Sequence, residues 1–333
     1  MATIKDVARE AGVSIATVSR VINQSPQAGK ASIASVQAAM KKLHYRPNAN
    51  ARALVSKNTN TIGVLVSDVS DPFFGSLLKG VDQVARQNNM HLLIGNGYHN
   101  PQTEREAIDI LINSRSKSLI IHSKGLSDQE LIDFATEVPG MVLINRFIPE
   151  LADRCIAFDN YNAAYMATEY LIKHGHKEIA YINSDHKISD ANDRKAGYLK
   201  ALQDNHLSCS DDYTLDAHLS DTGGYTAMTE LLAKNLPITA VLAYNDYMAA
   251  GALMALNEHN IAVPEKISLI GFDNGLIARY IHPQLTTINY PIKLMGIQAT
   301  ELSLKLAKNQ KFESASNMFA PTLVQRLSVA NKN

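Results

Sequence analysis

Thr3-Ile-Lys-Asp-Val-Ala-Arg-Glu-Ala-Gly-Val-Ser-Ile-Ala-Thr-Val-Ser-Arg-Val-Ile-Asn23 is the stretch on which the reading of this chain turns. Thr3 and Asp6 have the spacing of a reciprocal cap, in which each side chain meets the other's backbone amide, and so predict a helix over Ile4 to Ala11. Ile4, Val7, Ala8 and Ala11 line one face of it at helical period. Gly12 tolerates the left-handed backbone that closes a helix, and Ser14 can cap a second one. In that second helix Val18, Val21 and Ile22 turn inward, while Ile15, Ala16, Ser19, Arg20 and Asn23 share the opposite side. Arg20 offers the forked donors that suit guanine O6 and N7, and Ile15 and Ala16 are small or apolar enough to lie against thymine methyls. Ser14, Thr17 and Asn23 can donate to phosphates, which fix position without reading bases. As a plain solvated face, this stripe would leave Ile15 exposed beside Ala16 for no gain.

Outward from this pair, a third helix of about Ser32 to Leu43 supplies Ile33, Val36, Met40 and Leu43 to a small core, and Pro47 prevents its continuation. The segment Asn48-Ala-Asn-Ala-Arg-Ala-Leu-Val55 has good helix formers behind a good cap. It is far shorter than the ~12–15 residues at which an isolated helix becomes marginal in water. It is therefore expected to become helical only when something holds it. Its alanines at 49, 51 and 53 allow close approach of the backbone, and Leu54 is placed as an apolar wedge for a minor-groove step. A plain linker would favour Gly, Ser or Pro instead.

Charge divides the chain in the same place. The first 57 residues hold nine Lys or Arg against two acids, a surplus of seven, in a protein of 333 residues with 32 of each. The rest must carry the opposite surplus. A basic head on a mildly acidic body points to a polyanion at the head. The 46% hydrophobic content is ample for buried cores. Cys155 and Cys209 are too few for a disulfide framework and read as reduced thiols. The N-terminus lacks an apolar signal core, and the longest apolar stretch, Ile238 to Leu256, is broken by Asn245 and Asp246. A cytoplasmic protein that does not enter membranes is expected.

From Thr61 onward apolar strands alternate with amphipathic helices. Strands are expected at 62–66, 91–94, 119–122, 141–144, 155–158, 179–182, 240–243 and 268–271. Helices are expected at 76–87, 104–113, 163–174, 194–205, 224–234 and 247–259. Such alternation means parallel sheets covered on both faces, and the strand number calls for two doubly wound lobes. Ligands in such sheets sit beyond the strands' carboxyl ends. There the sequence places Phe73 and Phe74, Asn145 and Arg146, Asn245 and Asp246, and Asp273, with Arg194 opening a helix after a polar loop. Aromatic faces with mixed donors and acceptors suit a neutral polyhydroxylated ligand. Taken singly each polar residue could be a helix cap, Asp246 above all.

The head resembles the lactose/galactose repressor family of bacterial transcription regulators, on Ile4-Lys-Asp-Val-Ala, Ala11-Gly-Val-Ser, Thr17-Val-Ser-Arg-Val-Ile-Asn23 and Pro47-x-x-x-Ala-Arg-x-Leu54. Many members begin the third helix with Thr-Arg where this chain has Ser32-Ile33, which removes a possible phosphate contact. Leu92-Leu-Ile-Gly-Asn-Gly-Tyr-His-Asn100, Pro139-Gly-Met-Val-Leu-Ile-Asn-Arg146, Tyr244-Asn-Asp-x-Met-Ala-Ala-Gly251, Ile267-Ser-Leu-Ile-Gly-Phe-Asp273 and Leu285-Thr-Thr extend the likeness through the body, nearest the galactose-responsive members. The resemblance implies an α/β chain with a helix-turn-helix head at 1–46, a hinge at 47–57, and a two-lobed body like a periplasmic binding protein at 58–333. Its lobes would be 61–159 with 291–321, and 160–290 with 322–333. It implies effector contacts at Phe73, Asn145, Arg194, Asn245 and Asp273, extended to Arg146. Thr3, Tyr45, Ala51, Leu54 and Val55 complete the set expected to touch DNA. A homodimer on a pseudo-palindromic double-stranded operator follows, with galactose as inducer and no cofactor. Another hexose, or a purine co-repressor, is the alternative within the family.

The rival class is an enzyme on the same type of sheet. No G-x-G-x-x-G follows a strand, no phosphate-binding G-x-x-x-x-G-K-[ST] loop occurs, and no G-x-S-x-G elbow appears. His174-Gly-His176 has no further ligands near it in sequence, so neither catalytic nor metal residues are expected.

Overall fold

The structure is a computed structural model and describes residues 2–22, 25–45, 59–310 and 317–332. The hinge at 47–57 lies outside the described residues, as do Asn23, Ala51, Leu54 and Val55. The chain divides into two units, Met1–Thr59 and Asn60–Asn333.

The described residues of the first unit form three helices, α1 (Ile4–Ala11), α2 (Ile15–Ile22) and α3 (Lys30–Lys42). Asp6 accepts from the Thr3 amide at 2.9 Å and the Thr3 hydroxyl at 2.7 Å, while the Asp6 amide donates back to Thr3 Oγ1. Gly12 ends α1 at φ 68°, where its amide reaches the Ala8 and Arg9 carbonyls. Ser14 Oγ caps α2 by accepting from the Thr17 amide at 3.1 Å. Val7, Ala8, Val18, Val21, Val36 and Ala39 form the core, with Ile4, Ile22, Ile33, Met40 and Leu43 packed around it. The third helix begins at Lys30 rather than Ser32, behind Gly29, which has no side chain to cap it.

In the second unit the first sheet is built from β1 (Thr61–Val66), α4 (Pro72–Gln87), β2 (His91–Asn96), α5 (Pro101–Asn113), β3 (Ser118–Ile121), α6 (Asp128–Glu137), β4 (Met141–Ile144) and β5 (Cys155–Phe158). The second takes α7 (Asn160–Lys173), β6 (Ile179–Ser184), α8 (Ser189–Asp204), β7 (Thr214–Ala217), α9 (Asp221–Ala233), β8 (Ala240–Ala243), α10 (Asp246–Glu258), β9 (Ser268–Asp273), α11 (Ile277–Tyr280) and β10 (Thr286–Asn289). The chain then returns to the first lobe as α12 (Ile292–Leu306) and adds β11 (Met318–Phe319) to its sheet, and β12 (Thr322–Val324) joins the second sheet. The strand orders are β11-β5-β4-β3-β1-β2 and β12-β10-β9-β8-β6-β7. Pairing is parallel except for β10 with β12.

Helices start on side chains that take up orphan backbone amides just past a strand: Asp71 for α4, Asn100 for α5, Asp159 for α7, Asn245 for α10. The cap of α10 is thus Asn245, not Asp246 as the sequence suggested. Likewise α8 begins at Ser189, so Arg194 lies in its second turn instead of opening it. Helices α4 and α12 cross closely because Gly80 presents no side chain; a Cβ there would stand 2.2 Å from the Lys293 carbonyl oxygen. Between the lobes the core is continuous: the Phe158 ring stacks on Tyr290 at 4.1 Å, and Phe272 meets Phe158 edge-on.

Candidate functional site

The strands of both sheets end on one cavity of about 560 Å³. Phe73, Asn145, Arg194, Asn245 and Asp273 all line it, expected positions brought together from five separate segments of the chain. Arg146 does not: its guanidinium is turned to Asp128 at 2.6 Å and to the Ser123 carbonyl at 3.2 Å. Phe74 lines the wall too, packed edge-on against Phe73.

Arg194 is 4% exposed and fully engaged on its inner side. Nε donates to Asn160 Oδ1 at 2.8 Å and one Nη to the Tyr244 carbonyl at 2.6 Å, while the guanidinium carbon sits 3.6 Å from the centre of the Phe272 ring. A second ring, Tyr244, lies 4.3 Å away. This flat cation sandwiched among rings keeps a fixed orientation toward the cavity.

Asp273 closes β9 with φ 101°, a backbone region that favours glycine. Burial pushes its carboxyl well above the usual range, against the pull of Arg194. Asp246 holds the loop beside it, accepting from the Thr287 hydroxyl at 2.6 Å and the Gly275 amide at 2.7 Å. Burial raises Asp246 to about 7, with those two hydrogen bonds opposing the rise. Asn145, also at positive φ, gives its amide to Asp190 at 2.7 Å and accepts from the Tyr290 hydroxyl.

Several lining residues escaped sequence reading: Lys124, Asp190, His99, His122 and Tyr290. Asp190 had a signal, because it stands four residues before Arg194 on the same helix face. His122 had one too, as the residue just past β3. His99 packs against His186 of the other lobe, 5.0 Å between ring centres, and shares Ser67 Oγ with His122. His174 and His176 are tied into the protein, to the Tyr170 carbonyl, and to Thr239 and the Ala330 carbonyl. Among the described residues no group of three or more His, Cys, Asp or Glu is arranged to hold a metal ion. Cys155 is buried and Cys209 exposed, both free.

On the first unit, Ile15 is 45% exposed, and Ala16 and Arg20 are exposed on the same side of α2. Ser14 and Thr17 hydroxyls are bonded to each other at 2.9 Å, which leaves one hydroxyl hydrogen for an outside acceptor. The Thr3 hydroxyl already donates to Asp6. Tyr45 packs partly against the three-helix core.

Comparison with known proteins agrees with this division. Residues 3–48 match the model described as bacterial regulatory proteins, lacI family, and 168–329 match a periplasmic binding protein-like domain. The chain is 52% identical to the HTH-type transcriptional regulator GalR of Escherichia coli K12 over 99% of its own length and 96% of the relative's. It is 51% identical to GalS of Salmonella typhimurium LT2, covering 99% and 97%. Among solved structures, the lac repressor dimer bound to operator and the anti-inducer ONPF superposes with a TM-score of 0.88 at 28% identity, covering 99% of each chain. A complex of the regulator CelR with cellobiose gives 0.72 at 27% identity, covering 98% of this chain and all of that one.

Proposed function

The chain belongs to the lacI family of bacterial regulatory proteins, and on that premise we propose that it represses sugar-utilisation genes, holding an operator until galactose fills the cleft. It is a regulator and not an enzyme. The observation that carries the reading is the 52% identity to GalR over an alignment that spans 99% of the chain. A DNA-reading head and a small-molecule cleft in one chain make a switch only if each changes the other's affinity.

Two heads of a homodimer read adjacent major grooves of a pseudo-palindrome. Arg20 forks onto a guanine, and Ile15 and Ala16 meet thymine methyls. Ser14, Thr17 and Asn23, with Thr3 and Tyr45, set position on the backbone. Ala51, Leu54 and Val55 enter the minor groove, and residues 47–57 transmit the change. The exposed Ile15, Ala16 and Arg20 side of α2 supports this assignment.

In the cleft, Phe73 stacks on the CH face of the sugar ring, and Asn145, Arg194, Asn245 and Asp273 pair with its hydroxyls. A hydroxyl bonded to Asp273 would meet a buried carboxyl whose burial is opposed by the Arg194 charge. The protein works in the cytoplasm, where its DNA is. Among the described residues no helix is long and apolar enough to cross a membrane.

The test is to select an operator from a random duplex pool and follow its binding by fluorescence anisotropy while adding galactose, other hexoses and purines. Galactose should weaken operator binding by roughly 5- to 150-fold. A purine that tightens binding while galactose does nothing would replace induction with co-repression. Failure to select any duplex would end the reading.

A further inference from the structure

Lys124 follows β3 in the first lobe, and Asp190 lies in the first turn of α8 in the second. Their side chains meet in the cavity wall, with Nζ 2.7 Å from Oδ1, and are only 2% and 8% exposed. The other carboxylate oxygen of Asp190 accepts from the Asn145 side-chain amide at 2.7 Å, and Lys124 also donates to the Asn145 backbone carbonyl. One carboxylate of the second lobe is thus gripped by two donors of the first.

The position of Lys124 is itself enforced. Glu104 on α5 is 1% exposed and accepts from the amides of Lys124 at 3.2 Å, Gly125 at 3.0 Å and Leu126 at 3.2 Å, and from the Ser123 hydroxyl. A loop held by four donors on one buried carboxylate does not swing its lysine away. A buried ion pair adds little net stability over an apolar contact of the same size, because both ions lose water. It is nevertheless strict about geometry: its charge-assisted hydrogen bonds require a short N···O distance and a set direction, whereas apolar groups can slide past one another and stay in contact. Such a pair is suited to fixing a spacing.

We propose that the Lys124–Asp190 pair, with Asn145 beside it and Glu104 behind it, is a strut across the cleft that holds the two lobes at the spacing from which the heads grip the operator, and so sets operator affinity in the absence of sugar. This rests on the repressor reading above. Lys124 and Asp190 are then positioning residues that act through the lobe arrangement, and a ligand in the cavity works against the strut.

The experiment uses full-length Lys124→Met, Asp190→Asn and the double variant Lys124→Met with Asp190→Leu, which strands no charge and keeps the test alive if a single variant folds poorly. Operator dissociation constants are measured without sugar, well below each thermal midpoint. Each folded variant should bind operator about fivefold or more weakly. The double variant should be no worse than the weaker single one, since both remove the same strut. Thermal midpoints that fall while sugar-free operator binding stays within about twofold of the parent would make the pair a structural staple and overturn the proposal. A change that appears only after galactose is added would make the residues ligand contacts, and also overturn it. Parent protein measured alongside separates the two claims: if it binds no operator or ignores sugar, the repressor reading fails, whereas a responsive parent with unaffected variants defeats the strut alone.

Discussion

Asp273 is the residue where strain and burial coincide most clearly, and replacing it separates the two. At φ 101° an L-residue in so sparsely populated a region costs about 1–3 kcal/mol, which glycine does not incur. Glycine in turn gives the unfolded chain more freedom, a loss of about 0.4–1 kcal/mol. Asp273→Ala and Asp273→Gly both delete the carboxylate, so their difference isolates the backbone: glycine should be the more stable by about 0.5–2 kcal/mol. At roughly 2–4 °C per kcal/mol for a large domain, this is a gap of about 1–8 °C in thermal midpoint. Asp273→Asn isolates the charge. Because burial raises the carboxyl, the ionised group costs stability at neutral pH; that contribution is favourable only below the ordinary carboxyl range and is lost as pH rises through the raised value. Asparagine should therefore melt above the parent at pH 7.5, with an advantage that shrinks on acidification. Calorimetry without sugar measures all four proteins, and operator release by galactose should be lost in every variant. Glycine melting below alanine would refute the strain argument, and a variant still released by sugar would remove Asp273 from the site.

Arg20→Ala should cost about 1–3 kcal/mol of operator affinity and relax base preference at one half-site position. Uniform weakening across a sequence library would reduce Arg20 to a phosphate contact. Arg194→Lys keeps the charge but loses the fork that spans Asn160 and the Tyr244 carbonyl, each bond worth about 1.5–3 kcal/mol; sugar titration should show weak binding with operator binding retained, and unchanged sugar affinity would contradict the assignment. Burial first, then His186 and Lys124, lower His99 to about 4. Its contribution to stability is then present above about pH 6.5 and lost as pH falls toward 4. His99→Gln should thus show a smaller drop in thermal midpoint between pH 7 and 5 than the parent, and an identical drop would discount this histidine.

The head was readable because its signals are local. The Thr3–Asp6 cap, the Gly12 stop and the Ser14 cap each depend on neighbours within a turn, and each is found in place. Strands β4, β5 and β8 were equally plain, being short apolar runs buried on both faces. What escaped notice had weaker local signatures. Strand β7 lies half-exposed at a sheet edge, β10 carries two buried threonines, and α12 is apolar on several sides because it packs between α4 and the sheet. The cleft was most legible where chemistry sits at a strand end, as with Asn145 and Asp273. Lys124 and Asp190 acquire meaning only when two lobes meet, and no spacing along the chain announces that. Arg146 misled for the converse reason: it adjoins Asn145 in sequence but leaves the strand on the opposite side, toward Asp128.

Galactose and operator must oppose each other by one and the same factor, since linkage between two sites is reciprocal. Calorimetric titration of galactose into the protein alone and into the protein saturated with its selected operator measures that factor directly. Sugar should bind the operator complex more weakly by roughly 5- to 150-fold, equal to the loss of operator affinity at saturating sugar. Equal sugar affinity in the two titrations would contradict a switch between cleft and head.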